Sequence, residues 1–219
     1  MMRVAEHFIS INGEGRRAGQ LALFIRFAGC NLQCGYCDTK WANDPEVDCQ
    51  EYTVWQIYDI IRQTGIKNVT LTGGEPLIQP DMKELLALLR TESGIRIEIE
   101  TNGSVDIGPF MQDNVTFTLD YKTSVSGMED KMLLDNYSKL RGIDTVKFVV
   151  GDREDLIRAE EVIKQYRLVE RGCGIYLSPC FGKIDPAEMV EFLIERKLND
   201  VNIQMQLHKM IWDPDTRGV

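Results

Sequence analysis

The sequence predicts an α/β fold, a modified, partial (β/α) barrel forming a single domain over residues 1–219. Three observations carry this. Extended apolar segments alternate with amphipathic helical ones about six times in succession, the pattern of a parallel sheet with crossover helices. No internal repeat, low-complexity tract or Pro/Gly/Ser linker divides the 219 residues. The chain is also shorter than the roughly 250 residues of a complete eight-fold barrel, so an open or partial barrel fits better.

Val4 to Ile11 and Leu21 to Phe27 read as strands, with Arg16 to Gln20 the polar turn between them. Thr53 is placed to cap a helix whose apolar residues Val54, Ile57, Tyr58 and Ile61 fall on one face. Val69 to Leu71 is a short strand, followed by a helix from about Asp81 striped with Met82, Leu85, Leu86 and Leu89. Ile95 to Glu100 alternates strictly: the isoleucines 95, 97 and 99 share one face, and Arg96, Glu98 and Glu100 the other. Phe117 to Leu119 and Val146 to Val150 are further strands, the second an apolar run with Lys147 inside it. A helix over Arg153 to Tyr166, a strand over Ile175 to Leu177, a proline-opened helix over Pro186 to Lys197 and a strand over Val201 to Ile203 complete the series.

Composition narrows the function. The 25 Lys plus Arg against 34 Asp plus Glu leave a formal charge of −9, and such a surface repels phosphate backbones, so no nucleic-acid partner is expected. The richest apolar run, Leu21 to Cys30, is interrupted by Arg26 and falls short of a bilayer span. The first ten residues, MMRVAEHFIS, carry no export-signal pattern, so a cytoplasmic protein with no membrane partner is expected.

The chemistry-bearing residues gather at the predicted C-terminal strand ends, where ligands sit in parallel α/β sheets. Three of the six cysteines, Cys30, Cys34 and Cys37, fall within eight residues after the second strand. Tight spacing in a chain without an export signal reads as a metal or redox site, because thiolates suit iron–sulfur clusters and zinc. A structural zinc site needs four ligands, and no fourth is near in sequence; three thiolates on a 4Fe–4S cluster leave one iron open. Cys49, Cys173 and Cys180 are isolated and read as small hydrophobes or inert thiols. TGGEP follows the Val69 strand, ETNG the Ile95 strand, Asp120-Tyr121-Lys122 the Phe117 strand, and Ser178-Pro179-Cys180 the Ile175 strand.

The C-x3-C-x2-C loop, with Tyr36 before its last cysteine, together with GGEP at Gly73 to Pro76 and ETNGS at Glu100 to Ser104, resembles the radical S-adenosylmethionine (SAM) superfamily. FISINGEG, RFAGCNLQCGYCDT, LTGGEP, ETNGS and His208-Lys209 extend the likeness over nearly the whole chain to the 7-carboxy-7-deazaguanine synthase family. The resemblance implies a homodimeric radical SAM lyase of queuosine and 7-deazapurine biosynthesis, contracting 6-carboxy-5,6,7,8-tetrahydropterin to 7-carboxy-7-deazaguanine with loss of ammonia. It implies a 4Fe–4S cluster, SAM and Mg²⁺ as cofactors, and a reducing partner such as a flavodoxin or ferredoxin.

Carried over residue by residue, the resemblance gives Cys30, Cys34 and Cys37 to the cluster and Thr39 to Mg²⁺. SAM would meet Tyr36, Cys37, Asp38, Gly74, Glu100, Asp120, Tyr121, Lys122, Ser178, Pro179, Cys180 and Phe181. The substrate would meet Ile11, Asn12, Gly13, Glu14, Arg26 and Thr72, with Glu14 accepting from the amino-pyrimidine edge and Arg26 donating to the carboxylate. No side chain is assigned a covalent or proton-transfer step, since the cofactors carry the hard chemistry. This chain departs from the family at Asn12, usually Gln, and at Asp120-Tyr121-Lys122, usually Ser-Pro-Lys. It also continues through Arg217 to Val219, which puts a substrate role for Pro214 in doubt.

Other readings stand beside these. Arg26 could pair a core carboxylate, Glu14 could punctuate a turn, and Glu98 with Glu100 could form a solvated strand face. Lys122 alone reads as exposed and His208 as structural. The same cysteine spacing also occurs in glycyl-radical-enzyme activating enzymes, and a non-catalytic cluster or zinc module would use similar residues.

Overall fold

The computed structural model describes residues 1–213 and 216–219; Pro214 lies outside the described residues. Nine strands form one sheet in the order β3-β1-β2-β4-β5-β6-β7-β8-β9. They are β1 (Met2–Ile11), β2 (Leu21–Phe27), β3 (Gln50–Tyr52), β4 (Asn68–Gly73), β5 (Arg96–Thr101), β6 (Val115–Lys122), β7 (Thr145–Val150), β8 (Gly174–Pro179) and β9 (Asn202–Ile203). From β2 to β9 all neighbours are parallel, as expected. The sheet as a whole is mixed, because β1 runs antiparallel to both β2 and β3. A connection of nine residues is too short for a parallel crossover, so β1 and β2 pair as a hairpin.

The helices obey their sequence signals. α1 (Val54–Thr64) opens on Thr53, whose side chain and that of Gln56 satisfy each other's backbone amides in a capping box, and closes on Gly65 with φ 66°. α2 (Met82–Leu89) buries Met82, Leu85, Leu86 and Leu89 completely, each contributing on the order of 2 kcal/mol. α3 (Asp135–Lys139) and α6 (Leu207–Ile211) are single short turns; α4 (Arg153–Gln165) and α5 (Pro186–Arg196) start from Asp152 and Asp185 caps. No α-helix joins β5 to β6. There the segment carries Gly103, Gly108 and Pro109, and only a 3₁₀ turn over Gly108–Phe110 forms. No helix among the described residues is long and apolar enough to cross a membrane.

The sheet is strongly curved. Laid flat, β1 and β8 would stand six strand spacings apart, about 29 Å. Yet Glu14, just beyond β1, accepts a hydrogen bond from Ser178 on β8 at 2.8 Å. The sheet does not close by strand pairing. Its gap is spanned by the β1–β2 connection and the segment after β9: Gln204 bonds both the amide and the carbonyl of Gly15, and the Leu207 amide donates to Gly13. Arg16 clasps three carbonyls, of Gly142, Asp144 and Gly172, on the connections that lead into β7 and β8. The convex face packs under the helices through residues such as Ile97, Ile99, Val146 and Phe148, and the concave face encloses a cavity.

Candidate active site

The cavity, about 870 Å³, opens at the C-terminal strand ends and is walled by the concave face of the sheet. Cys30, Cys34 and Cys37 all line it, carried by the loop that leaves β2. The sulfurs of Cys30 and Cys37 receive donors. Cys30 Sγ accepts from the Leu32 amide at 3.4 Å and from Asn102 Nδ2 at 3.6 Å; Cys37 Sγ lies 3.9 Å from Asn43 Nδ2 and 3.6 Å from Thr39 Oγ1. Burial raises the Cys30 and Cys34 thiols above their ordinary pKa, so bare thiols here stay protonated. Such donors stabilise thiolate charge once a metal has displaced the protons. Among the described residues no three His, Cys, Asp or Glu side chains form a group able to hold a single ion.

The GGEP loop is built onto this cysteine loop. The Gly74 amide donates to the Phe27 carbonyl and the Glu75 amide to the Gly29 carbonyl, both at 2.9 Å. Glycine is required because Gly73 has φ 127° and because a Cβ on Gly74 would overlap the Gly29 carbonyl. The close approach that the glycine pair permits is made by the protein's own backbone, at Phe27 and Gly29. Glu75, wholly buried, then ties GGEP to ETNG by accepting from Thr101 Oγ1 at 2.8 Å, the Asn102 amide at 2.8 Å and the Leu77 amide at 3.0 Å. Burial pushes its carboxyl up to about 7, against the pull of these donors. Nothing in the sequence marked Glu75 beyond its place in the motif.

The floor is a charged cluster inside the barrel. Glu14 accepts from Ser178 Oγ at 2.8 Å, Lys147 Nζ at 3.2 Å and Gln206 Nε2 at 3.1 Å. Lys147 also lies 3.4 Å from Asp120 Oδ1, and Lys122 pairs with Asp120 Oδ2 at 2.7 Å. Burial pushes Asp120 upward, but the two lysines together hold it below the usual carboxylate range. Glu98 accepts from Thr118 and Glu100 from Thr72, so neither forms the solvated strand face that alternation allowed. Burial raises Glu100 to about 7. The sheet's curvature, invisible in the local pattern, turns this polar face inward.

Most predicted residues meet in this one cavity. Ile11, Gly13, Glu14, Arg26, Tyr36, Cys37, Asp38, Thr39, Thr72, Gly74, Glu100, Asp120, Lys122, Pro179, Cys180 and Phe181 all line it. Three do not. Tyr121 is buried on the opposite face of β6, its hydroxyl between Glu129 and Arg158, which overturns a side-chain role toward a cofactor. The residues 120–122 are strand, not loop, so successive side chains alternate. Asn12 is turned onto Thr70, whose hydroxyl donates to its Oδ1, and Ser178 stands behind Glu14. Both support the wall without lining it.

Arg26 fits both of its readings. Its Nε donates to Glu6 at 2.8 Å, and among the described residues neither terminal guanidinium nitrogen has a partner. His208 lines the cavity beside Gly13, and Lys209 lies 3.6 Å from Asp38. Sequence reasoning also missed Lys147 and the stacked Phe8–Phe24 pair on one wall, with centroids 5.1 Å apart.

A curved α/β sheet with a three-cysteine loop and GGEP at its strand ends defines a radical SAM protein, and the profile of the Radical SAM superfamily matches residues 24–115. A 7-carboxy-7-deazaguanine synthase of Clostridium acetobutylicum is 50% identical over 219 residues, covering 99% of both chains. One from Leptospira interrogans is 35% identical, covering 99% of this chain and 97% of its own. This chain belongs to the 7-carboxy-7-deazaguanine synthase family. The crystal structure of QueE from Escherichia coli shares the fold, with a TM-score of 0.75 at 24% identity over 94% of this chain and 93% of that one.

Proposed function

We propose that this chain is a radical SAM lyase converting 6-carboxy-5,6,7,8-tetrahydropterin to 7-carboxy-7-deazaguanine with release of ammonia, in queuosine and 7-deazapurine biosynthesis. One observation carries the reading: three thiols, the Glu14 carboxylate and the Arg26 guanidinium line the same cavity. A glycyl-radical activating enzyme or a zinc module has no use for that polar interior, and family membership speaks against both.

The donor set fits the cofactors. Cys30, Cys34 and Cys37 would hold a 4Fe–4S cluster, and amide donors already reach the sulfurs of Cys30 and Cys37. When bound, the cluster supplies an electron to SAM, and SAM supplies the radical that takes a hydrogen atom from the substrate. Tyr36, Asp38, Gly74, Glu100, Asp120, Lys122, Pro179, Cys180 and Phe181 line the part of the cavity given to SAM. The buried Tyr36 hydroxyl, which lacks a hydrogen-bond partner among the described residues, is open to a ligand. Thr39 would bring a hydroxyl oxygen to Mg²⁺, a hard cation suited to it.

Ile11, Gly13, Glu14, Arg26 and Thr72 would hold the substrate. Arg26 would donate its free terminal nitrogens to the substrate carboxylate. Glu14 would accept from the amino-pyrimidine edge, and the Phe8–Phe24 wall would exclude water beside the ring. The same reading carries a homodimer, a reducing partner such as a flavodoxin or ferredoxin, a cytoplasmic location and a single domain. The dimer and the reducing partner rest on the resemblance, and the single domain is supported by the one continuous sheet.

The test is direct. Anaerobically reconstituted, reduced protein with SAM, Mg²⁺ and the carboxypterin should yield the deazaguanine acid by mass spectrometry, and Cys34→Ala should yield none. Product from the Cys34→Ala protein would refute the reading.

A further inference from the structure

We propose that Lys147 is a positioning residue for substrate selection: it fixes the Glu14 carboxylate as an acceptor for one N–H of the substrate's amino-pyrimidine edge. This rests on the proposed function. Lys147 is the lone charged residue of β7, and its strand neighbours Val146 and Phe148 are buried on the other face of the sheet. Its Nζ sits 3.2 Å from Glu14 Oε2 and 3.4 Å from Asp120 Oδ1, with the Lys147 and Glu14 side chains only 13% and 11% exposed.

A carboxylate offers about four lone-pair directions. Glu14 Oε2 has Lys147 and Gln206 as donors, and Oε1 has Ser178. Three are thus taken from β7, β8 and the segment before α6, which leaves acceptor capacity on Oε1. A carboxylate held from three elements presents that lone pair in one direction, whereas a free one would swing.

Lys147 is also the one cation paired with Glu14 among the described residues. From the neighbouring elements Glu98 and Glu100 (β5), Asp120 and Lys122 (β6), Arg17 (the β1–β2 connection) and His208 (α6) face this cluster. Lys122 is committed to Asp120, and Arg17 acts on Glu98. Without Lys147, Glu14 keeps only the neutral donors Gln206 and Ser178, and no cation holds its carboxylate in place.

The experiment compares the reconstituted wild type with Lys147→Met and Lys147→Gln in equilibrium binding of the carboxypterin and of SAM. Pterin affinity should fall ten- to a hundredfold at pH 7, with SAM affinity changed less than threefold because Lys122 still pairs Asp120. Glu14→Gln/Lys147→Met, which removes both charges together, should bind pterin within threefold of Glu14→Gln alone. Unchanged pterin affinity in the single variants, or a further tenfold loss in the double variant, would overturn the inference. Parallel losses of pterin and SAM affinity would also overturn it, as a purely structural effect. If the wild type binds no carboxypterin and makes no product, the function reading fails, and this inference falls with it.

Discussion

Placing a methyl group on Gly74 tests how the two motifs are joined. An ideal Cβ there would sit 1.8 Å from the Gly29 carbonyl oxygen and 2.6 Å from Asn43 Oδ1. An ordinary carbon contact of about 3.5 Å exceeds the first by roughly 1.7 Å, so the GGEP and cysteine loops must part by more than an ångström. That separation breaks the Gly74–Phe27 and Glu75–Gly29 backbone bonds, each 2.9 Å long. Two lost bonds with buried partners left unpaired cost about 3–5 kcal/mol together. At roughly 2–4 °C per kcal/mol for a chain of this size, Gly74→Ala should lower Tm by about 6–20 °C. The control is Gly65→Ala at the end of α1, with φ 66° and nothing within 4 Å, where only left-handed backbone strain of about 1 kcal/mol applies. The loop shift should also lower iron incorporation per chain, read by metal analysis after reconstitution. A Gly74→Ala protein that melts within 2 °C of wild type and takes up full iron would refute the argument.

Three further outcomes are expected. Glu75 and Glu100 are raised to about 7, so the folded protein holds protons that the unfolded chain releases above about 4.5; stability of the cluster-free protein should therefore fall as pH rises from 4.5 to 7, and Glu75→Gln should flatten that slope in urea titrations. Arg26→Gln should raise KM for the pterin by tenfold or more, the worth of a charge-assisted bond of about 1.5–3 kcal/mol, while substrate-independent SAM cleavage persists. Tyr121→Phe should leave SAM affinity unchanged and cost about 1–2 kcal/mol in chemical denaturation, since its hydroxyl bridges Glu129 and Arg158 in the scaffold.

Local signals in the sequence read well wherever local physics decides. Thr53 announced its capping box, and the stripe at Met82, Leu85, Leu86 and Leu89 announced a buried helix face. The cysteine loop and GGEP were legible because chemistry constrains both spacing and residue type. Long-range curvature was not. The alternation at Glu98 and Glu100 told which residues share a face, but only a bent sheet decides that this face is the inside. Lys147 hid for the same reason, as one cation in an apolar strand whose partners lie on β6 and before β2. Tyr121 was misplaced because its strand runs three residues past the predicted end, to Lys122. The β3 pairing and the helix-free crossover from β5 to β6 depend on tertiary contacts and on Gly103, Gly108 and Pro109 acting together.

The bonds that join Gly15 to Gln204 and Glu14 to Gln206 link residues 189 and 192 positions apart. A ribosome must therefore finish almost the whole polypeptide before Glu14 and Gly15 find these partners. Until then the nascent sheet lacks its seam, and the pocket has no base. A truncation near residue 204 should leave the early strands paired but the reaction chamber unsealed.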